Sequence, residues 1–170
     1  MLAGARTDEL SGLLNRRAFV EEVERRLNHL QRMGRGGALM YVDIDNFKLV
    51  NDVRRHQAGD EALKTLADIL SQGSPAGDLV ARLGGDEFAI WLEEADEPAA
   101  RAKAGGLLSA CESLKQFSGA TERPLGISIG IALSAPQDDS PLAQLIGAAD
   151  AAMYEAKRGG RNRVQVVKPA

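Results

Sequence analysis

The chain has 170 residues, a length that fits one domain able to bury its own hydrophobic core. Apolar residues make up 44% and charged residues 26%, which excludes a mainly disordered chain, and the net charge of −3 argues against a duplex-DNA binder that relies on bulk positive charge. The single cysteine, Cys111, excludes a disulfide framework and a zinc site built from several thiolates.

Hydrophobic periodicity predicts an alternation of helices and strands. The first helix is the clearest, because Phe19, Val23 and Leu27 recur at intervals that line one helical face. In chain order, we predict helices over 15–33, 47–53, 59–70, 98–117 and 141–157, and strands over 38–44, 78–83, 87–92, 125–133 and 164–167. This order predicts a layered α/β fold with helices packed on the faces of a central sheet, and the ferredoxin-like split βαβ motif is its nearest template.

The most specific short motif is Gly84-Gly85-Asp86-Glu87-Phe88, at the turn of a predicted hairpin. The two glycines permit positive φ angles and a close approach to the main chain, and two acids follow directly. An exposed hairpin tip is often rich in glycine and charge without any further role. The pentapeptide alone therefore leaves both a functional and a purely structural interpretation open.

Two further acids, Asp43 and Asp45, stand at the end of the first predicted strand. Their side chains point to the same face, and a neighbouring strand would lie about 4.8 Å away. If that neighbour carries Asp86 and Glu87, four carboxylates converge and need a proton, a basic partner or a metal, and Mg²⁺ prefers such oxygen ligands. The alternative is that Asp45 or Asn46 merely caps the following helix.

Groups that suit an anion flank this acidic cluster. The predicted helix start around Asn46, Phe47 and Lys48 offers unpaired backbone N–H groups. Four basic residues lie at and after the end of the last helix: Lys157, Arg158, Arg161 and Arg163. Basic residues at that position also complement the negative end of a helix, so charge alone does not assign them to a ligand.

A polar group follows in the predicted helices after the first strand, namely Asn51, Asp52, His56 and Asp60. An amide and a carboxylate suit the edge of a base that presents a ring N–H and an amino group, although the same residues also fit an ordinary helix surface. Cys111 and Trp91 stand among apolar neighbours, and we assign both to the core.

Four blocks spread over residues 8 to about 163 make the sequence resemble the GGDEF family, the diguanylate cyclases of bacterial signalling. The blocks are Asp8-Glu9-Leu10-Ser11-Gly12-Leu13-Leu14-Asn15-Arg16-Arg17; Asp43-Ile44-Asp45-Asn46-Phe47-Lys48 with Asn51-Asp52, His56 and Gly59-Asp60; Gly84 to Phe88; and Ala149-Asp150, Met153-Tyr154, Ala156-Lys157 with Gly160-Arg161-Asn162. The resemblance implies one domain over residues 1–170, with a mixed, mostly antiparallel sheet of about five strands like a nucleotidyl-cyclase palm.

The resemblance also implies a reaction, in which two GTP molecules condense to cyclic di-GMP and two pyrophosphates between two facing domains. By the family pattern, Asp43, the carbonyl of Ile44 and Asp86 bind Mg²⁺ or Mn²⁺, while Asp86 and Glu87 activate the 3′-hydroxyl. The other implied contacts are Asn51 and Asp60 to guanine, Phe47 and Lys48 at the phosphate-binding helix start, and Lys157 and Arg161 to the terminal phosphates.

Alternatives to an active cyclase are a silent module that binds GTP and acts by protein contact, a structural dimerisation domain and a Mg²⁺-dependent phosphohydrolase. The unaltered signature favours the cyclase.

No apolar run approaches the ~20 residues of a membrane span, and the first residues lack a signal-peptide layout. We expect a cytoplasmic domain that contacts neither membrane nor nucleic-acid polymer, and that forms the C-terminal output end of a longer protein, which would itself be compatible with membrane tethering.

Two positions depart from the family pattern. Arg55 stands where the family has the glycine before its histidine, in the loop near the base pocket. The family's product-inhibition motif, R-x-x-D, corresponds here to Pro75-Ala76-Gly77-Asp78, so proline replaces the arginine.

We therefore predict no feedback inhibition by cyclic di-GMP at this second position, because proline cannot supply the guanidinium that binds the product's phosphates. Enzyme turnover measured with added cyclic di-GMP tests this prediction. Inhibition through a site centred on Asp78 would refute it.

Overall fold

A computed structural model of the chain describes residues 5–74, 77–136 and 139–167. Four α-helices and five strands are present in these ranges, together with one 3₁₀ helix. The α-helices are α1 (Arg16–Arg32), α2 (Phe47–Gln72), α3 (Glu97–Ala110) and α4 (Leu142–Arg158). The strands are β1 (Gly37–Ile44), β2 (Leu79–Gly84), β3 (Glu87–Glu93), β4 (Ile127–Ser134) and β5 (Val164–Val167), and the 3₁₀ helix is Cys111–Phe117.

The five strands form one sheet in the order β2-β3-β1-β4-β5. Strand β1 is central and pairs antiparallel with both β3 and β4, β2 pairs antiparallel with β3, and only β4 and β5 are parallel. The register places Asp43 opposite Glu87 on β3 and opposite Ser128 on β4. The predicted α/β class and the mixed, mostly antiparallel sheet are confirmed.

Hydrophobic side chains cover both faces of the sheet, as the alternation of a strand's side chains requires. On one face, α1 and α4 pack over a cluster that contains Trp91, which is fully buried and donates its indole N–H to Glu93 at 2.8 Å. On the other face, α2, α3 and the 3₁₀ helix pack over a cluster that contains Cys111. Burial raises the pKa of the Cys111 thiol to about 12, which fits its predicted place in the core.

One predicted helix differs from the structure in its type. The segment predicted as one helix over 98–117 is an α-helix that tightens into the 3₁₀ helix from Cys111 onwards. The two helices predicted over 47–53 and 59–70 are present as the two parts of α2, which are separated by non-helical backbone at Arg55. None of the described helices has the length and apolar character needed to cross a membrane. Pro75 and Ala76, on which the product-inhibition expectation depends, lie outside the described residues.

Helix α4 crosses the sheet with its backbone directly against Gly130 of β4. A Cβ atom on Gly130 would lie 2.2 Å from the Ala149 carbonyl oxygen and 2.2 Å from the Met153 backbone nitrogen. Residues four apart lie on the same helical face, so Lys157 follows Met153 one turn later along this contact. The packing therefore directs Lys157 toward the end of the sheet where β1 finishes.

Because no side chain fits between β4 and α4, we expect Gly130→Ala to lower the free energy of unfolding by at least about 2 kcal/mol. Gly147→Ala is the matched control, since Gly147 is an exposed position of the same helix with no atom within 4 Å of an added Cβ. That control should be stabilising by about 0.5–1 kcal/mol, because alanine has the higher helix propensity. Urea unfolding of both variants provides the measurement, and a Gly130→Ala variant as stable as the original chain would contradict the packing described.

Candidate functional site

The end of β1 and the β2–β3 hairpin meet at one end of the sheet. Gly84 and Gly85 turn the hairpin with φ angles of 141° and 52°. These angles lie in the region that favours glycine, and they bring Asp86 back beside β1. The Ile44 N–H donates to the Asp86 carbonyl at 3.3 Å, and the Asp43 and Asp86 carboxyl groups are within hydrogen-bonding reach of each other.

Asp43 is unusually hard to ionise in this environment. Burial, reinforced by the hydrogen bond and the negative charge of Asp86, raises the pKa of Asp43 to about 8, although Lys157 acts in the opposite direction. Glu87, which is paired with Asp43 on the neighbouring strand β3, also has a raised pKa. Burial is the first cause and the negative charge of Asp150 is the second. A cation bound here would oppose these shifts, because a positive charge favours the ionised form of a carboxyl group.

Lys157 joins Asp43 to Asp45. Its Nζ lies 3.2 Å from Asp43 Oδ2 and 3.6 Å from Asp45 Oδ1. Asp45 is 2% exposed and also accepts hydrogen bonds from the Ser128 hydroxyl at 2.6 Å and the Asn162 backbone N–H at 2.9 Å. Asp43 therefore meets Asp86 directly and is linked to Asp45 through Lys157, so these acids approach each other in pairs.

The alternative that the side chain of Asp45 or Asn46 merely caps α2 is wrong. Asp45 is engaged with β4, Lys157 and the segment after α4, as described above. Asn46 occupies the cap position of α2 with φ 62°, but its side chain makes no cap hydrogen bond and donates instead to the Pro124 carbonyl at 2.9 Å. The first N–H groups of α2 thus have no side-chain cap.

The donors at this end of the sheet fit a hard divalent cation. Asp43 Oδ1 is buried and has no hydrogen-bond partner among the described residues, so one carboxylate oxygen is available. Asp86 supplies a second carboxylate. Ile44, whose N–H donates to the Asp86 carbonyl, carries the backbone carbonyl that the family pattern implies as a third oxygen. The described residues contain no group of three or more His, Cys, Asp and Glu side chains that could hold a metal. A cation here would depend on two carboxylates, a backbone carbonyl and oxygens of a bound ligand, which is the arrangement Mg²⁺ commonly adopts.

The interruption in α2 brings Asn51, one of the two predicted base-binding residues, against the segment that carries the other. In a continuous helix, Asn51 and Gly59 would lie about 12 Å apart along the axis. Arg55 instead has φ 75° and ψ 169°, and the chain folds back so that a Cβ on Gly59 would lie 2.1 Å from Asn51 Oδ1. This Asn51 oxygen is buried without a hydrogen-bond partner within the described part of the chain, and the exposed Asp60 follows Gly59 directly.

The remaining predicted residues lie at the start of α2 and after α4. Phe47 is partly buried against the core, and Lys48 is exposed. Arg161 is exposed, has φ 65°, and lines a cavity of about 470 Å³ that reaches Asp45 and Asn46. His56 is exposed, in keeping with its ordinary surface interpretation.

Sequence reasoning missed Arg82, which braces the hairpin. Its guanidinium donates to the Gly85 carbonyl at 2.7 and 3.0 Å and to Asp8 Oδ1 at 3.1 Å. Burial opposes the ionised form of Asp8, but hydrogen bonds from Ser11 together with Arg82 hold the pKa of Asp8 below its usual value. The sequence does contain a feature that could have indicated this role, because Arg82 stands two residues before the glycine pair in a strand that is otherwise poor in charge. The N-terminal segment thus connects to the turn that carries Asp86.

The sequence and the fold both match known proteins. The profile of the family described as "Diguanylate cyclase, GGDEF domain" matches residues 5–163. The diguanylate cyclase DosC of Escherichia coli (strain K12) is 37% identical over 162 residues, which are 95% of this chain and 35% of DosC. The cyclic di-GMP phosphodiesterase PdeR of the same strain is 36% identical over 165 residues, or 97% of this chain and 24% of PdeR. The chain thus spans about a third or less of the length of these curated relatives.

Among solved structures, the GGDEF domain of DgcB from Caulobacter crescentus, in complex with c-di-GMP, has a similar fold. The TM-score is 0.85 at 28% sequence identity, and the match covers 98% of this chain and 95% of the DgcB chain.

Arg55 provides a test of the interrupted helix, because its backbone lies in a region that essentially only glycine adopts freely, at a cost of about 1–3 kcal/mol for other residues. Arg55→Gly removes this strain but adds about 0.5–1 kcal/mol of unfolded-state entropy, so we expect a net stabilisation of about 1 kcal/mol. Gln57→Gly, at an exposed helical position of α2, carries only the entropic cost and should be destabilising. Urea unfolding distinguishes the two, and equal destabilisation by both glycines would show that Arg55 is unstrained.

Proposed function

Because this chain belongs to the diguanylate cyclase GGDEF domain family, we propose that it condenses two GTP molecules into cyclic di-GMP and two pyrophosphates. The observation that carries the proposal is the meeting of the Asp43 and Asp86 carboxyl groups at the end of β1, where the Ile44 N–H donates to the Asp86 carbonyl. The uncapped start of α2 follows shortly after Asp43 in the chain, and in this proposal its free N–H groups bind the triphosphate beside the cation.

In the proposed reaction, the 3′-hydroxyl oxygen of one GTP attacks the α-phosphorus of the other. A new P–O bond forms, the bond to the β-phosphate oxygen breaks, and pyrophosphate leaves with the bonding electron pair. Asp86 and Glu87 are the proposed groups that take the hydroxyl proton. The raised pKa of Glu87, caused first by burial, makes it a better proton acceptor than an ordinary glutamate.

Mg²⁺ or Mn²⁺ is the proposed cofactor, held by Asp43, Asp86 and the carbonyl of Ile44. When bound, such an ion supplies charge stabilisation to the transferring phosphoryl oxygens. The unpartnered Asp43 Oδ1 supports this assignment, because a buried carboxylate oxygen without a donor is costly in the absence of a cation.

The other residues bind and orient the nucleotide in this proposal. Asn51 and Asp60 contact guanine, since a carboxylate pairs with the ring N–H and amino group that guanine presents and adenine lacks. Phe47 and Lys48 form the phosphate-binding helix start. Lys157 and Arg161 contact the terminal phosphates.

Each domain would hold one GTP, so catalysis requires a second copy of the domain facing the first. We propose a transient homodimer whose pairing is set by further modules of a longer protein, since the matched residues make up only 35% of DosC and 24% of PdeR. GTP is a cytoplasmic nucleotide, and a cytoplasmic location of the domain follows from the proposed substrate.

A second candidate is a catalytically silent domain that binds GTP and acts through protein contact. The similarity to PdeR supports this second candidate, because PdeR is named as a cyclic di-GMP phosphodiesterase and not as a cyclase. The two candidates predict the same GTP binding but different products.

The cyclase proposal predicts that concentrated protein, paired by a dimerising fusion and supplied with GTP and Mg²⁺ or Mn²⁺, releases cyclic di-GMP and pyrophosphate. Asp43→Asn or Asp86→Asn should lower the rate by about 100-fold or more, the equivalent of roughly 3 kcal/mol of lost charge stabilisation. Asp68→Asn, on the exposed face of α2, is the control and should retain full activity. Product analysis by chromatography is the measurement. GTP binding without product would favour the silent module, and free phosphate in place of pyrophosphate would indicate a phosphohydrolase.

The base assignment predicts that Asp60→Ala weakens GTP binding by about ten-fold, as expected for the loss of charge-assisted hydrogen bonds. Weak binding of ATP should not change, because adenine offers that carboxylate no matching donors. Glu61→Ala, at the adjacent exposed position, serves as the control in calorimetric titrations. Equal GTP affinity in both variants would remove Asp60 from the guanine site.

A further inference from the structure

The cavity of about 470 Å³ beside Asp45 contains basic residues that the family pattern does not assign. We propose that Arg123, supported by Lys115, extends the nucleotide site here and binds the terminal phosphate of a nucleoside triphosphate and the pyrophosphate derived from it. This inference rests on the proposed function, because it concerns the same nucleotide.

The cavity adjoins the candidate cation site. Asp45 and Asn46 line the cavity, and Lys157 contacts both Asp45 and Asp43. Lys157 therefore stands at the boundary between the candidate cation site and the cavity. A triphosphate that starts at the cation site and extends past Lys157 has its last phosphate in this cavity.

The charges on the cavity wall favour a polyanion. Arg123 and Arg161 line it from two different segments, and neither side chain has a hydrogen bond or ion pair with another described residue. Lys115 also lines the cavity but pairs with Glu112 at 2.6 Å, so its contribution should be the smaller. Glu122 is the one lining carboxylate apart from Asp45, whose charge is already engaged.

Arg123 is presented by a loop that is fixed to the surrounding structure. Its backbone N–H donates to the Ala120 carbonyl at 3.1 Å, which closes a tight turn. The following carbonyl, of Pro124, accepts the Asn46 side chain, and the Leu125 N–H donates to the Ser118 hydroxyl at 2.9 Å. These contacts hold the backbone of Arg123 beside the start of α2. A bound ligand therefore needs to order only the Arg123 side chain.

A planar guanidinium at the far end of the site would make the site sensitive to the number of phosphates. GTP would reach Arg123 with its terminal phosphate, whereas GMP would be too short to do so. Bidentate arginine–phosphate contacts are strong and directional, so Lys in place of Arg should recover only part of the effect.

Calorimetric titration of the full chain with GTP, GDP and GMP in the presence of Mg²⁺ tests the proposal. Arg123→Ala should weaken the binding of GTP by about ten-fold and that of inorganic pyrophosphate to a similar degree, and it should leave GMP binding unchanged. Arg123→Lys should give an intermediate value, and Lys115→Ala a loss of about two-fold or less. Arg32→Ala, at an exposed position of α1 without a contact to the cavity, is the matched control.

The outcomes separate this inference from the proposed function. If the chain forms no cyclic product but Arg123→Ala still lowers the affinity for GTP relative to GMP, the subsite stands and the cyclase proposal fails. If the chain is an active cyclase and Arg123→Ala binds GTP as tightly as the original protein, the subsite is refuted alone. An equal loss of affinity for GTP and GMP would also refute it, because it would indicate a general structural role.

Discussion

The antiparallel pairing of β1 with β3 is the constraint on which the site depends. It places Asp43 at the end of a central strand beside the hairpin turn that carries Asp86, so two carboxyl groups must share a largely buried position. Such a pair is unfavourable when both groups are ionised. Lys157 offsets part of this repulsion, and a divalent cation would offset more. The fold thus gathers carboxyl groups at the place where we propose that a metal–nucleotide complex binds.

The position of Lys157 is itself a result of core packing. Gly130 allows the backbone of α4 to lie directly on β4, and this contact fixes the rotation and depth of the helix. One turn further along, Lys157 reaches both Asp43 and Asp45. A residue without a side chain in the core therefore determines where a charged side chain lies in the site, which shows how packing and electrostatics are linked in this fold.

Local rules are broken where the candidate site requires an unusual backbone. Arg55 adopts angles typical of glycine, and Asn46 occupies a cap position without capping its helix. In each case the surrounding structure holds the conformation: the fold-back brings Asn51 against Gly59, and the Asn46 side chain is held by the carbonyl of Pro124. Strain of this kind commonly concentrates at functional sites, where the geometry serves binding rather than local stability.

Periodicity and turn residues were sufficient to predict the order of the elements, the hairpin at Gly84-Gly85 and the core positions of Trp91 and Cys111, because these features depend on neighbours in the sequence. The motifs also identified Asp43 and Asp86 as candidates. Only the tertiary structure determined that α2 folds back at Arg55, that Asp45 is held by Ser128 and Asn162, and that Arg82 braces the hairpin against Asp8. These contacts join segments far apart in the chain, and their formation depends on the register and packing of the whole sheet rather than on any local pattern.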